Sequence, residues 1–329
     1  MTAILRLKWR QYCLFPTGLV IVSMAMLLLG ACASATPRSS QQPLGNTQVS
    51  DVEPETLSII IGDVDADEPV KKIRRFQPLA DYLATKLEGF GSGDGGVVIA
   101  KNFEEMGRLL KNGEVDIYFD SVYPAIASQK ISASEFLLRR SKDGVSSYWS
   151  TYVVLKERMV DSFDEFLGKV IAFEEPRSTS GYLLPAGQLL EEGYVLREVD
   201  GPAAEVKDNE IGYFFSRDEE NTIDMVLRGM VAAGGISNQD FDELPPELSE
   251  KLDIFGRTIA VPRQIVSLRP GMDPAIKENI RDLLLGLKDT PEGRQILEDM
   301  KESAFDPLPA DFESTISHLR SLSTLVTGG

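Results

Sequence analysis

Cysteine and histidine are nearly missing from this chain of 329 residues, which has two cysteines, Cys13 and Cys32, and a single histidine, His318. Both cysteines precede residue 33, so the remainder folds without a disulfide and offers no thiol to a metal or a reaction. A domain of this size buries enough apolar surface to manage without cross-links. His318 stands alone near the C-terminus, so no Cys/His metal cluster can be composed and a serine hydrolase would lack its base. G-x-S-x-G is likewise absent around Ser180. Positive charge is the third scarcity. Lys and Arg number 34 against 51 Asp and Glu, a net charge of −17, which argues against nucleic acid or an anionic lipid face as partner. The acidic surface serves solubility, and a local pocket of N–H groups can still attract an anion against that field.

What is present begins with an address. Arg6, Lys8 and Arg10 are followed by an apolar run from Leu19 to Leu29, short for a membrane span of about 20 residues. Leu29-Gly30-Ala31-Cys32 then resembles the bacterial lipobox. The expectation is a lipoprotein signal peptide over 1–31, lipidation of Cys32 and a lipid-anchored, extracytoplasmic protein. Loss of the leader would take the charge to about −20, since 1–31 holds three bases and no acid. Residues 32–55 are polar and aperiodic, a flexible tether with a reach of roughly 25–30 Å.

From Thr56 the pattern alternates between strand and helix. Leu57–Gly62, Val97–Ala100 and Val115–Phe119 read as strands, separated by helical spacing over Ile73–Leu87 and Phe103–Lys111. Tyr148–Leu155 reads as a strand crossing between two lobes, and Ile254–Pro262 as the return. The second lobe would hold a strand at 169–173, a helix through Gln188–Glu192, another near Thr222–Gly229 and a short strand around Val231–Ile236. Helices over Asp273–Leu287 and Pro291–Lys301 would complete the first lobe. The resulting expectation is an α/β protein with lobe 1 from 56–147 plus 256–325 and lobe 2 from 148–255. Gly91-Ser92-Gly93-Asp94-Gly95-Gly96 satisfies G-x-G-x-x-G, but it follows a helix and precedes a strand, the reverse of the dinucleotide-binding order. A helix-to-strand loop explains it.

The most informative stretch is Phe173-Glu174-Glu175-Pro176-Arg177-Ser178-Thr179-Ser180-Gly181-Tyr182. Three hydroxyl residues and a glycine between a strand and a helix start present N–H groups, hydroxyls and a positive dipole end to one point. Ordinary N-capping needs one such residue, not three. Pro185 lacks an amide proton, so either the first turn is irregular or regular helix starts nearer Leu184. Tyr123, Tyr148 and Tyr182 are candidate cleft aromatics, although such residues are more often core. Arg177 could add charge to the anion site, but an exposed loop arginine is the plainer account. Glu174 and Glu175 do not form a glycosidase pair if they alternate along a strand.

Ser178-Thr179-Ser180-Gly181-Tyr182-Leu183-Leu184-Pro185, preceded by Glu175-Pro176, resembles the signature loop of the periplasmic phosphate/phosphite/phosphonate-binding protein family. These are solute-binding components of ABC transporters. Phe76–Leu83, Glu114–Ile117, Ser147–Ser150 and Pro291–Arg294 agree in order, so the similarity covers most of 56–305. The resemblance implies a type II periplasmic-binding fold, two lobes with mixed, mostly parallel sheets joined by two crossing strands. It implies that Ser178, Thr179 and Ser180, with Gly181 and Tyr182, hold a small oxyanion in the cleft, and that Asp120, Ser121 and Tyr123 of the first lobe meet the rest of the ligand. It also implies an ABC permease as partner, a monomer, no cofactor and no catalysis.

Two departures stand out. Asp120 occupies the position where phosphonate binders bring a tyrosine to the ligand, and Ser216-Arg217-Asp218-Glu219-Glu220-Asn221 lacks the histidine often found there. Carboxylates in those places disfavour a bare dianion and favour a ligand with its own cationic or hydroxyl group, if they face the cleft. For Glu219 a solvent-facing position is the simpler expectation. Two alternatives keep the fold: a sensory subunit for a membrane kinase, and a binder of a non-phosphorus ligand. A cleft enzyme is disfavoured by the missing base.

Overall fold

The computed structural model describes residues 57–64, 69–87, 92–142 and 144–328. The expected signal peptide, Cys32 and the tether therefore lie outside the described residues. The described residues form one compact unit. Among the described residues, no helix is long and apolar enough to cross a membrane.

The chain opens in the first lobe with β1 (Leu57–Val64), α1 (Pro69–Lys86), β2 (Ser92–Ala100), α2 (Phe103–Asn112), β3 (Ile117–Asp120), α3 (Val122–Ser132) and β4 (Glu135–Lys142). It crosses at β5 (Ser147–Tyr148) and builds the second lobe from β6 (Ser150–Leu155), β7 (Val170–Phe173), α4 (Leu184–Glu191), β8 (Leu196–Glu198), β9 (Ile211–Phe215), α5 (Glu219–Leu227), β10 (Gly234–Ser237), α6 (Asn238–Asp242), α7 (Pro246–Ser249) and β11 (Leu252–Arg257). It returns at β12 (Val261–Pro262) and closes with β13 (Gln264–Leu268), α8 (Pro274–Gly286), α9 (Pro291–Asp299), β14 (Glu302–Asp306) and α10 (Phe312–Thr327).

Each lobe is a six-stranded mixed sheet, in order β14-β4-β13-β3-β1-β2 for the first and β11-β6-β10-β7-β9-β8 for the second. Parallel pairs sit where helices separate successive strands, as in β1 with β2 and β3 and in β7 with β9 and β10. The returning strands add antiparallel partners. Burial follows the parallel-sheet rule that strands covered on both faces read as apolar runs: Val170–Phe173 is buried throughout.

Three expectations need correcting. The crossings are shorter than Tyr148–Leu155 and Ile254–Pro262: the two-stranded connector is β5 with β12, Tyr148 opposite Val261, while Ser150–Leu155 and Leu252–Arg257 pair inside the second sheet. A boundary at 255/256 therefore cuts a strand of lobe 2. The chain to 325 does not simply complete lobe 1, because α10 buries Phe312, Ile316, Leu319 and Leu322 in the core that holds Leu184, Ala186 and Leu189 of α4. Finally, the glycine-rich stretch from Ser92 is strand rather than loop. α1 crosses it so closely that a Cβ on Gly95 would lie 2.3 Å from the Ala80 carbonyl carbon, which is a packing reason for glycine there.

Candidate functional site

Strands β1, β3, β7 and β10 all end at the same cleft, the usual binding position in an open α/β sheet. The cleft encloses about 490 Å³ and is lined by Asp120, Ser121 and Gln264 from lobe 1, by Glu174–Ser180 without Pro176 and by Ser237 and Asp240 from lobe 2, with Tyr148 and Arg263 beside the connector. Lys101 and Glu219 also line it.

The hydroxyl loop owes its shape to Pro185. A regular helix would have the residue-185 amide donate to the Gly181 carbonyl, but proline has no such proton. Instead Glu174 N–H donates to Gly181 O at 3.1 Å, tying the loop to the end of β7. The turn over Thr179–Leu183 widens to π-helical geometry, with Leu183 N–H reaching Ser178 O at 3.0 Å. Both readings of Pro185 hold: the first turn is irregular and regular helix starts at Leu184.

Within the loop the hydroxyls have different tasks. Ser178 Oγ accepts the Gly181 amide proton at 2.8 Å and donates to Glu174 Oε2 at 2.6 Å. Thr179 Oγ1 reaches the other lobe, accepting Tyr123 N–H and donating to Ser121 Oγ, both at 3.0 Å. Tyr148 is buried, and its hydroxyl meets those of Thr179 and Ser180, which opposes the upward push of burial on its pKa. Among the described residues the Thr179 and Ser180 amides find no acceptor, as expected ahead of the first helical bond.

Five helix N-termini border this space, but they differ in their caps. α2, α5 and α6 carry acids in their first turns, which already answer the positive dipole end. α3 and the turn leading into α4 carry none and begin at Ser121 and Ser178. These two helix starts face one another through the Thr179–Ser121 bond; Ser178 caps its own turn, while Ser121 makes no side-chain cap bond. The region between them is the most favourable place for an anion.

Carboxylates occupy the flanks. Asp120 is held by the Tyr118 hydroxyl, which donates to Oδ2, and by Ser121 N–H, which donates to Oδ1 at 2.6 Å. Burial raises its pKa to about 6 against the pull of those donors. Glu174 is raised to about 7, again chiefly by burial, with Glu219, Glu175 and Asp240 adding like charge. Glu174 and Glu175 lie beyond the end of β7, so strand alternation does not separate them and both line the cleft. Glu219 lines it too, contrary to the solvent-facing expectation, and Arg177 is a lining residue that is also exposed.

Asp120, Ser121, Ser178, Thr179 and Ser180 thus come together, while three expected contacts do not. Tyr182 turns into the core, its ring 4.9 Å from Phe215 and 5.5 Å from Phe173, because two positions past Ser180 a helical turn points the other way. Tyr123 offers its amide to Thr179 but directs its hydroxyl toward Ser323 of α10. Gly181 is spacing rather than contact: a Cβ there would lie 2.4 Å from Glu174 Cβ. Arg263, Gln264, Ser237 and Asp240 line the cleft without having been singled out from sequence. No local motif marks them, since strand pairing far along the chain brings them in.

Two α/β lobes, a short double connector and a polar cleft at the strand ends define a periplasmic binding protein of the type II-like fold. The family model described as "ABC transporter, phosphonate, periplasmic substrate-binding protein" matches residues 64–311, and the chain belongs to that family. A curated relative, the phosphonates-binding periplasmic protein of Escherichia coli K12, is 21% identical over 230 residues, 68% of this chain and 62% of the relative. The match therefore spans about three fifths of that protein's length. Among solved structures, XAC2383 from Xanthomonas citri bound to ATP superposes with a TM-score of 0.74 at 24% identity, covering 82% of this chain and 98% of the other. PhnD1 from Prochlorococcus marinus in complex with methylphosphonate gives 0.57 at 16% identity, covering 80% and 98%.

Proposed function

We propose that this chain is the extracytoplasmic solute-binding component of an ABC-type importer, anchored through lipid on Cys32, and that it captures a small phosphorus oxyanion between its lobes. The observation that carries this reading is the pair of facing helix starts joined by the Thr179–Ser121 bond, with the Thr179 and Ser180 amides ahead of α4 left without an acceptor among the described residues. Unanswered N–H groups at such ends bind phosphate-like anions without a dedicated cation. Thr179 and Ser180 hold the oxyanion and Ser178 shapes the turn. Asp120 and Glu174 flank it, so a phosphonate bearing an ammonium group suits the cleft better than a bare dianion.

A second reading is favoured by size. A volume of about 490 Å³ lies in the range of pockets that enclose whole organic ligands, and the X. citri structure is described with ATP. A larger organic phosphate is the alternative occupant.

Calorimetric titration of the protein with phosphate, methylphosphonate, 2-aminoethylphosphonate and ATP separates the two. Saturable heat with 2-aminoethylphosphonate that exceeds the others supports the first reading. Binding of ATP alone supports the second, and no heat with any oxyanion rejects both.

A further inference from the structure

Arg263 is an anomaly in a chain so rich in acid. It follows β12, where its amide donates to Ser146 O at 3.0 Å, and its guanidinium lies over the Tyr148 ring at 4.6 Å from the centroid. Its Nε is buried without a hydrogen-bond partner, and among the described residues no carboxylate pairs with it. Burying a guanidinium nitrogen without an acceptor is costly, and the chain has 51 acids from which a partner could have been drawn. The ring beneath it belongs to the tyrosine whose hydroxyl meets Thr179 and Ser180. The unanswered cation is therefore stacked on the side chain that reaches the anion loop.

The next residue carries a second unanswered donor. Gln264 sits opposite Arg140 in the β13–β4 pairing, and Arg140 Nη2 donates to Gln264 Oε1. Arg140 itself is buried, stacked on Phe119 and Phe76 at 5.0 and 5.4 Å and 3.5 Å from Glu302. A guanidinium has only donors, so the amide oxygen must face it and the amide NH₂ must face away. Gln264 lines the cleft, and among the described residues its Nε2 has no acceptor.

From this cleft-lining guanidinium and this amide we infer that Arg263 and Gln264 are ligand-binding residues: Arg263 supplies a cation that answers the oxyanion, and Gln264 Nε2 supplies a neutral N–H oriented by Arg140. The inference rests on the oxyanion reading above and deepens it, by giving the first lobe and the connector their own share of the anion. It also accounts for how a cleft bordered by Asp120, Glu174 and Glu219 holds an anion. Lys101 and Arg177 also line the cleft, and the connector adds a third positive charge at a residue adjoining the strand pair Tyr148–Val261.

Calorimetric titration of the full chain with methylphosphonate and 2-aminoethylphosphonate tests this, using Arg263→Met, Arg263→Lys, Gln264→Leu and Gln264→Glu, with Ser180→Ala reporting on the hydroxyl loop. Arg263→Met should weaken both ligands by about 30-fold or more, and Arg263→Lys by less, as for a charge-assisted bond. Gln264→Leu should lose about tenfold and Gln264→Glu more, because the glutamate keeps its bond to Arg140 while turning an acceptor toward the oxyanion. Melting curves without ligand should show all variants folded, and Arg263→Lys with Gln264→Leu keeps the test alive if a harsher change unfolds the chain. Affinities within twofold of the unmodified protein for the Arg263 and Gln264 variants, alongside a clear loss for Ser180→Ala, overturn the inference and leave the oxyanion reading standing. Failure of the unmodified protein to bind either phosphonate, or phosphate or ATP added in the same titration, removes that reading and this inference together.

Discussion

The Thr179 hydroxyl accepts the Tyr123 amide proton at 3.0 Å across the interlobe cleft. Tyr123 is the second residue of α3, and Ser121, at the N-cap position of that helix, makes no side-chain cap bond of its own. The first lobe's helix is therefore capped by the second lobe's loop, and the same hydroxyl donates to Ser121 Oγ. Binding loop and lobe closure share one side chain.

Thr179→Val should release that cap while preserving shape. A lost N-cap costs about 1 kcal/mol, enough to shift a two-state opening about fivefold. Small-angle scattering of the unliganded variant should give a larger radius of gyration, and affinity for a phosphonate should fall. Thr179→Ser should behave as the parent. Superimposable scattering curves for parent and valine variant would show that the contact does not govern closure.

Gly181→Ala probes the loop's support. The added methyl would meet Glu174 Cβ and Oε2 at 2.4 Å and Ser178 Oγ at 2.9 Å, and the backbone there is fixed by Glu174 N–H. Overpacking of this kind costs about 1–3 kcal/mol, a fall in melting temperature of roughly 2–4 °C per kcal/mol at this size. Phosphonate affinity should fall further than stability, because Ser178 must move. A variant with unchanged melting and affinity would mean that the loop relaxes freely.

The hydroxyl loop was legible because its signal is local: small polar residues between a strand and a helix, with Pro185 four positions past Gly181. Tyr182 was misplaced for the same reason, since adjacency in sequence does not give direction around a helical turn. α10 had a readable stripe, Phe312, Ile316, Leu319 and Leu322, yet its attachment to α4 depends on a core assembled from distant segments. Arg263 and Gln264 were beyond local reading. What orients Gln264 is Arg140, 124 residues earlier, and what brings Arg263 to the cleft is the β12–β5 pairing across more than a hundred residues.

Asp120→Asn should exchange ligand preference. The side chain would keep an oxygen for Ser121 N–H and lose the charge that burial disfavours. Affinity for 2-aminoethylphosphonate should fall about tenfold, the worth of a charged hydrogen bond, while affinity for methylphosphonate rises. Parallel losses for both ligands would show that Asp120 supports the fold of the cleft rather than reading the ligand.

The pH dependence of the unliganded protein isolates Glu174. Its carboxyl titrates near 4.5 when free and at about 7 in the fold, so between those values the native state holds more protons than the unfolded chain. Stability therefore falls as pH rises through that window. Asp120 adds a change of the same sign between 3.8 and about 6. A displacement of this size corresponds to roughly 3 kcal/mol for Glu174. Urea unfolding at pH 5 and pH 8 should show the parent losing more stability than Glu174→Gln, which has no proton to release and still offers an oxygen to the Ser178 hydroxyl. The difference between the two slopes is the contribution of Glu174. Equal slopes would mean that this carboxyl is already ionised at pH 5, and that the cleft holds a permanent negative charge directly beneath its anion loop.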